Sequence, residues 1–407
     1  MSTAPTSTWS KSQRMHAVTA GFLGWTLDAF DYFVVVFLLD VLAMEFGVSK
    51  KAMAFTLTAT LLTRPLGALI FGLLADRFGR RLPFMANVIF FSVIEVLCGF
   101  ASSYNFFLAL RVLFGIGMGG EWGVGASLAM ESAPSRWRGV LSGILQSGYA
   151  VGYLLASIAS RFVLPALGWR WMFWIGGLPA LLSLYIRTKV PESEAWKEHR
   201  APTVGAIVKE AGKHWQQFLY LVLMMTLFVF LSHGTQDLYP DFLKTVHKIP
   251  AKTVSNIAIL YNLGAIVGAI LFGQLSQWVG RRRSILTALS LCLMIIPVWA
   301  FGWTPLVLTI GAILMQAGVQ GAWGTVPAHL NEVSPGAVRG LVPGLAYQFG
   351  ILFGAPTNNI QLRLADHLGY AWAIASFEIV TIVLLAVTVA LGKEAKDKQF
   401  SSAAADA

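Results

Sequence analysis

His233 and Asp237 stand four residues apart in FLSHGTQDLYPDFL (230–243), with Thr235 and Gln236 between them. That spacing puts both on one face of a helix. An imidazole with an ordinary pKa near about 6.5 takes up or releases a proton at physiological pH. Asp237 can set that protonation state, and a protonated His beside Gln and Thr donors can hold a carboxylate. Gly234 and Pro240 are expected to weaken the helix here and leave carbonyls free. Asp28 and Asp31 lie three apart in GWTLDAFDYFVVV. Two carboxylates that close, out of water, raise one another's proton affinity, so one can carry a proton near neutral pH. Arg64, in LLTRPLGAL, keeps its charge at any working pH and can clamp a carboxylate with two parallel hydrogen bonds. Arg111 and Glu121 lie ten residues apart, about 15 Å along a helix, so they cannot pair with each other. Tyr347 and Gln348 add neutral donors, while Glu95 and Glu378 read as ordinary interhelical hydrogen-bonding acids.

These polar groups sit in a chain that is otherwise apolar. Of 407 residues, 56% are hydrophobic and 12% charged, and the mean hydropathy is +0.65. A soluble domain carries about 25% charge. The long unbroken apolar runs predict membrane-spanning helices of about 20 residues. Twelve are expected, at about 16–39, 53–75, 83–102, 105–130, 139–163, 169–188, 216–236, 254–278, 284–302, 305–328, 339–361 and 370–391. The fold class is therefore an all-α membrane protein with twelve spans in two six-helix halves. The halves are 1–188 and 216–407, joined by a polar linker at 189–215. With the N-terminus cytoplasmic, twenty Lys and Arg fall on the cytoplasmic side and eight outside. By the positive-inside rule this places both termini in the cytoplasm of a multi-pass cell (inner) membrane protein. The polar N-terminal stretch MSTAPTSTWSKSQRMH lacks a signal-peptide core, so the first span is expected to act as an uncleaved anchor. The net charge of +10 resides in these loops, and nucleic acid is not an expected partner. Cys98 and Cys292 both lie in apolar runs and predict neither disulfide nor metal.

The halves repeat at an offset of 201. GLLADRFGRR (72–81) maps onto GQLSQWVGRR (273–282). Gly117, Gly120, Trp122 and Gly123 map onto Gly318, Gly321, Trp323 and Gly324. Glu131, Pro134, Arg138 and Gly139 map onto Glu332, Pro335, Arg339 and Gly340. Parallel repeats of this kind place a substrate site near the midplane, between the halves. Arg111 and Glu121 map onto Ala312 and Ala322. What repeats is read as packing, and what does not repeat as asymmetric function.

GLLADRFGRR resembles the loop motif between spans two and three of the major facilitator superfamily, and GQLSQWVGRRR its second copy. The resemblance implies a gating role for Gly72, Asp76, Arg77, Gly79, Arg80 and Arg81, and for Gly273, Gly280, Arg281 and Arg282. RPLGA (64–68), RVLFGIGMGGEWG (111–123) and PESEAW (191–196) are similar to the metabolite–proton and sialate–proton symporter branches. HGTQD (233–237) resembles the seventh-helix signature of the Jen-type monocarboxylate–proton symporters. Val229 and Asp241 stand where that family has Asn and Thr. YQFGI (347–351) resembles its eleventh-helix YQLGN, keeping Gln348 but placing Ile351 at the Asn position. Asp31 resembles the first-helix Asp of proton-coupled sugar porters, which implies a pairing with Arg111.

The expected function is proton-coupled symport of a small organic acid anion by alternating access, with a monocarboxylate such as lactate or pyruvate as cargo. Sialate, another sugar acid, a dicarboxylate, or uncoupled facilitation are the alternatives. The expected substrate contacts are His233, Gln236, Arg64, Gln348, Tyr347 and Thr235. The expected proton-coupling set is Asp28, Asp31, Arg111, Glu121 and Asp237. No cofactor is expected beyond the proton as coupling ion, and no partner beyond substrate and lipid bilayer for a monomer. An enzyme is not expected, because no phosphate loop, HExxH helix or nucleophile–base constellation occurs. The tail after 391 is shorter than those of transporter-like sensors.

Overall fold

The computed structural model describes residues 10–400. The N-terminal half contains α1 (Lys11–Glu45), α2 (Lys50–Phe78), α3 (Arg81–Cys98), α4 (Tyr104–Ser132), α5 (Arg138–Leu167), and the broken sixth span α6 (Trp169–Ile175) with α7 (Ala180–Lys189). The linker folds into α8 (Glu194–His199) and α9 (Val204–Lys213). The C-terminal half contains α10 (Trp215–Gln236) with a short α11 (Tyr239–Thr245), α12 (Ala251–Val279), α13 (Arg281–Phe301), and α14 (Pro305–Gly324) continued by α15 (Val326–Val333). The eleventh span is split into α16 (Val342–Gly354) and α17 (Thr357–Leu368), and α18 (Tyr370–Leu391) closes the bundle. Among the described residues, nine helices are long and apolar enough to cross a membrane. The other three spans are α1, which carries Asp28, Asp31 and Asp40, and the two broken ones.

Polar residues mark the starts. Ser10 caps α1 in a capping box with Gln13, and Ser49, Ser103 and Thr304 cap α2, α4 and α14. The glycine-rich spans α4 and α14 are regular helices whose glycines pack on neighbouring helices: a Cβ at Gly120 would fall 2.4 Å from the Phe71 ring, and one at Gly321 2.4 Å from that of Phe272. A Cβ at Gly67 would fall 1.8 Å from the Ile116 carbonyl oxygen, and one at Gly268 would fall 2.1 Å from that of Ala317. These contacts are related by the 201 offset, so the repeat records one helix-packing geometry used twice. Gly67→Val is therefore expected to overpack the α2–α4 seam against backbone that cannot move. It should lower the thermal unfolding midpoint or abolish the monodisperse gel-filtration peak. Val at Gly212, which has open space around it, should leave both unchanged.

The two ends of the described chain, here called the face of the termini, lie at one face of the bundle, where Val18 near the start of α1 packs in one cluster with Phe400. The halves meet along α2 with α16 and α5 with α12.

Candidate functional site

A cavity of about 280 Å³ lies between the halves. Its walls are Trp25, Tyr32 and Phe33 of α1, Leu61 and Arg64 of α2, and Gln146 and Tyr149 of α5. The C-terminal half supplies Ser232, His233 and Gln236 of α10, Asp237 at its end, Gln320 and Trp323 of α14, and Tyr347 and Ile351 of α16. Tyr347 anchors an aromatic floor, with ring centroids 4.5 Å from Trp122, 5.6 Å from Trp323 and 6.2 Å from Trp25. Trp25 in turn stacks on Tyr149 at 5.4 Å.

Arg64 is the cation of this cavity. It is 3% exposed, and its guanidinium carbon lies 5.9 Å from the Tyr347 ring centroid. Nε donates to Gln348 Oε1 at 2.8 Å, and Gln348 Nε2 donates to the Gly119 carbonyl at 3.3 Å. Nη2 has no hydrogen-bond partner, and Arg64 forms no ion pair among the described residues. The next residue is Pro65, which has no N–H, so the carbonyl of Leu61 in the cavity wall lacks its helical donor. Gln348 is fully buried. It positions Arg64 rather than facing a ligand, which corrects its expected place among the substrate contacts.

On the facing wall His233 Nδ1 lies 2.9 Å from Asp237 Oδ2, which also accepts from Asn358 Nδ2 at 3.0 Å. The pair is half-exposed, at 44% and 33% of the side-chain surface. The helix expected to weaken here runs through Gly234 to Gln236, and Pro240 lies in the first turn of α11. Helical bonding across this segment keeps His233 and Asp237 on one face, and the Gly234 carbonyl accepts from Gln361 Nε2 at 2.9 Å. Thr235 is likewise corrected. It is buried behind the wall, donating to the Leu231 carbonyl at 2.8 Å and accepting from Gln316 Nε2 at 3.2 Å. A helix places residue 235 about 200° from 233, so the two cannot share a face.

The acids of the first span face away from this cavity, into the N-terminal half. Asp28, Asp31, Glu95 and Glu121 are all fully buried there with Arg111. Arg111 does not pair with Asp31. Its Nη1 bonds Glu95 Oε2 at 2.8 Å, and its guanidinium carbon lies 3.9 Å from the Phe114 ring centroid. Glu95 wins because α3 presents it directly to α4. Both oxygens of Asp28, Asp31 and Glu121 lack hydrogen-bond partners. Asp31 and Glu95 crowd Gly176, and Glu121 crowds Gly24. Four carboxylates thus share two nearby cations, Arg64 and Arg111, both within electrostatic reach of Asp28.

The face holding the termini is sealed by two copies of one device. Arg80 forks onto Glu131, with Nη2 to Oε1 at 2.9 Å and Nε to Oε2 at 3.2 Å. Arg281 forks onto Glu332 with both bonds at 2.9 Å. Each carboxylate then accepts from an arginine of the opposite half: Arg339 Nη1 reaches Glu131 at 3.3 Å and Arg138 Nη1 reaches Glu332 at 3.1 Å. Asp76 pairs with Arg80 and accepts from the N–H groups of Gly340 at 2.8 Å and Leu341 at 3.0 Å. Gln277, its counterpart, accepts from Gly139 N–H at 3.0 Å. A Cβ at Gly72 would meet the Leu341 backbone at 2.8 Å, and one at Gly273 would meet the Gly139 carbonyl at 2.7 Å. Gly79 and Gly280 take φ of 103° and 101°, open only to glycine at low cost. Those turns aim the next two N–H groups at Glu192 and at Glu394. Burial works against the Glu394 anion, but backbone N–H donors outweigh it and hold its carboxyl below the ordinary value. Arg81 and Arg282 cap the last carbonyls of α7 and α18. Arg77 rests on its neighbour Phe78, 5.4 Å from the ring, and takes no part in this seal.

Between the two crossing arginines sits Phe400, 2% exposed. Its ring lies 3.9 Å from the guanidinium carbon of Arg138 and 4.0 Å from that of Arg339. At the opposite face no side-chain hydrogen bond or ion pair joins the halves among the described residues. The halves are therefore bonded together at the sealed face and not at the other.

Residues 21–356 match the model of the Major Facilitator Superfamily. The chain belongs to this superfamily. It is 32% identical over 388 residues to a probable 4-methylmuconolactone transporter of Cupriavidus pinatubonensis, covering 91% of this chain and 89% of that one. It is 30% identical over 374 residues to a carboxylic acid transporter protein homolog of Saccharomyces cerevisiae, covering 85% of this chain but only 60% of the yeast protein. It is 27% identical to the sialic acid transporter NanX of Escherichia coli, covering 92% of each. Among solved structures, the proton:xylose symporter XylE bound to 6-bromo-6-deoxy-D-glucose superposes with a TM-score of 0.80 at 19% identity, covering 95% of this chain and 98% of that one. The protein is thus a membrane transporter of the major facilitator fold, not an enzyme.

In this transporter the geometry can do three things. The cavity can hold a small anion on Arg64, the N-terminal acids can hold protons, and the sealed face can open by breaking a defined set of bonds. The expected site residues omitted Glu131, Glu332, Arg138 and Arg339, although their repetition at one offset marked them. They also omitted Glu192 and Glu394, which are 202 apart and so escape the 201 register. Phe400 carries no signal in the sequence.

Proposed function

We propose that this protein carries a small organic acid anion together with a proton, by alternating access around the Arg64 cavity. The observation that carries the reading is the buried Arg64 guanidinium, with a free Nη2 and no direct ion pair among the described residues, in the wall of a cavity of about 280 Å³. A buried cation without an ion pair is costly, and a carboxylate cargo supplies the missing charge. Drug-sized ligands take roughly 300–1,000 Å³, so this volume favours a cargo of lactate or pyruvate size over sialate. The protein lies in the cell membrane as a monomer with its sealed face toward the cytoplasm, so the cavity loads from outside.

The buried acids of the N-terminal half support proton coupling, because an unpartnered carboxylate anion out of water is expensive and a proton removes its charge. Uptake of labelled lactate, pyruvate, sialate and muconate into proteoliposomes, at two pH values, tests cargo and coupling together. Lactate or pyruvate uptake should be saturable, rise with an inward proton gradient and collapse with a protonophore. Saturable uptake of sialate or muconate alone would reassign the cargo, and uptake indifferent to gradient and protonophore would make it a facilitator. Asp31→Asn is expected to abolish gradient-driven accumulation while sparing exchange of labelled for unlabelled substrate. Loss of both would place Asp31 in binding or folding instead.

A further inference from the structure

Glu378 of α18 is fully buried, and neither carboxylate oxygen has a hydrogen-bond partner. It presses on the backbone of the seventh span: a Cβ at Gly234 would fall 1.9 Å from Glu378 Oε1. Gln361 of α17 lies against the same spot, its Nε2 bonded to the Gly234 carbonyl and its Oε1 unpartnered. From α13 the one titratable neighbour is the buried thiol of Cys292. Among the described residues no lysine, arginine or histidine is bonded to Glu378, and α10 turns His233 and Asp237 toward the cavity on its other side.

The N-terminal half has a matching slot. There Asp31 of the first span presses on Gly176 of the sixth, and a Cβ at that glycine would fall 2.6 Å from Asp31 Oδ1. Under the 201 offset Asp31 maps onto Ser232, two residues from Gly234, and Gly177 maps onto Glu378. The slot between spans one and six takes its acid from the first span and its glycine from the sixth. The slot between spans seven and twelve takes its glycine from the seventh and its acid from the twelfth. Each half thus buries a carboxylate between its first and sixth spans, delivered from opposite helices. A packing role alone would not require a carboxylate, since Gln or Met fills the volume without the charge. Each slot includes a span that carries cavity residues: Tyr32 and Phe33 follow Asp31 on the first, and His233 precedes Gly234 on the seventh.

We propose that Glu378 is a second proton-carrying site, in the C-terminal half, read by the His233 segment through Gly234. It holds a proton while the cavity faces the far side. It gives that proton up when the seventh span moves against the twelfth and water reaches the slot. The organic anion and its protons thereby cross in the same cycle, with the proton bound at one face and released at the other. This rests on the proton-coupled reading above.

The test uses full-length protein in proteoliposomes with the membrane potential clamped at zero and labelled pyruvate as probe. The logarithm of the accumulation ratio is measured against the imposed pH gradient, and its slope counts the protons carried per anion. Glu378→Gln, which keeps the shape of the neutral acid, should lower the slope by one. Accumulation across a one-unit gradient should then fall about tenfold, with the KM for pyruvate little changed. A slope in Glu378→Gln equal to that of the wild type overturns the proposal, while a slope of zero in the wild type itself overturns proton coupling as a whole. An infrared pH titration of the protein in lipid, which needs no organic substrate, stands beside it should Glu378→Gln fold poorly. Glu378→Asp should move a pH-dependent carbonyl band of the protonated acids. A pH-dependent spectrum identical to wild type assigns those protons to other groups and overturns the proposal.

Discussion

Arg64→Gln is expected to abolish saturable uptake of the organic anion while the protein remains folded. The wild-type guanidinium is out of water, held by one bond to Gln348 and lying 5.9 Å over the Tyr347 ring. In that setting its attraction to a bound carboxylate is weakly screened. Truncating one member of a buried charge pair typically costs 2–5 kcal/mol. Taking about 3 kcal/mol, uptake at sub-saturating substrate should fall roughly 150-fold, at tenfold per 1.4 kcal/mol. Stability should fall far less, because Arg64 forms no direct ion pair among the described residues and Gln keeps a polar group beside Gln348. Arg64→Lys should recover part of the loss, since it restores the charge but not the planar fork. Substrate-induced thermal stabilisation checks binding independently of turnover. Wild-type affinity in Arg64→Gln would remove Arg64 from the substrate site.

Neutralising the seal, in the double variant Glu131→Gln with Glu332→Gln, is expected to open the face of the termini. Each carboxylate receives an arginine fork from its own half and one bond from an arginine of the other. Only the cross-half bonds distinguish the closed state from the open one, and a conformational equilibrium shifts only through such differential contacts. Removing one partner from a buried ion pair costs about 3–5 kcal/mol. Even one pair at the lower figure moves the ratio of states roughly 150-fold. Phe400→Ala should act in the same direction but less. It removes a ring held between Arg138 and Arg339, and a desolvated cation–π contact is worth about 2 kcal/mol. A cysteine introduced at Val338, buried beneath the seal, gives the readout. Its labelling by a membrane-impermeant maleimide, applied to the face of the termini, should be slow in the parent and fast in both variants. Equal rates would mean that the seal does not set the equilibrium.

The architecture was legible in the sequence because the membrane leaves the backbone few choices. Apolar runs of about 20 residues must be helices, and a gapless repeat must stack as two like halves. The 201 offset captured the Gly67–Ile116 and Gly268–Ala317 contacts and both Arg–Glu forks for the same reason: they depend on residue type at fixed register. Arg64, His233 and Asp237, which the structure brings to one cavity, stood out in the sequence because charge inside an apolar run is costly and therefore rare.

Partnership was not legible. Asp31 was expected on Arg111, yet Glu95 takes that bond. Thr235 and Gln348 were expected in the cavity, yet one turns behind the wall and the other holds Arg64 from below. Glu378 read as an ordinary interhelical acid until its two bare oxygens were seen against Gly234. The sequence by itself determined that this chain is a two-fold repeated, twelve-span membrane protein with a small set of buried charges. Only the tertiary structure decided which of those charges meet, which are left without a partner, and which face is sealed. Spacing along a helix gives a side chain's azimuth, but a hydrogen bond is lost within about 1 Å beyond its ordinary length, and that distance is set by how the helices pack.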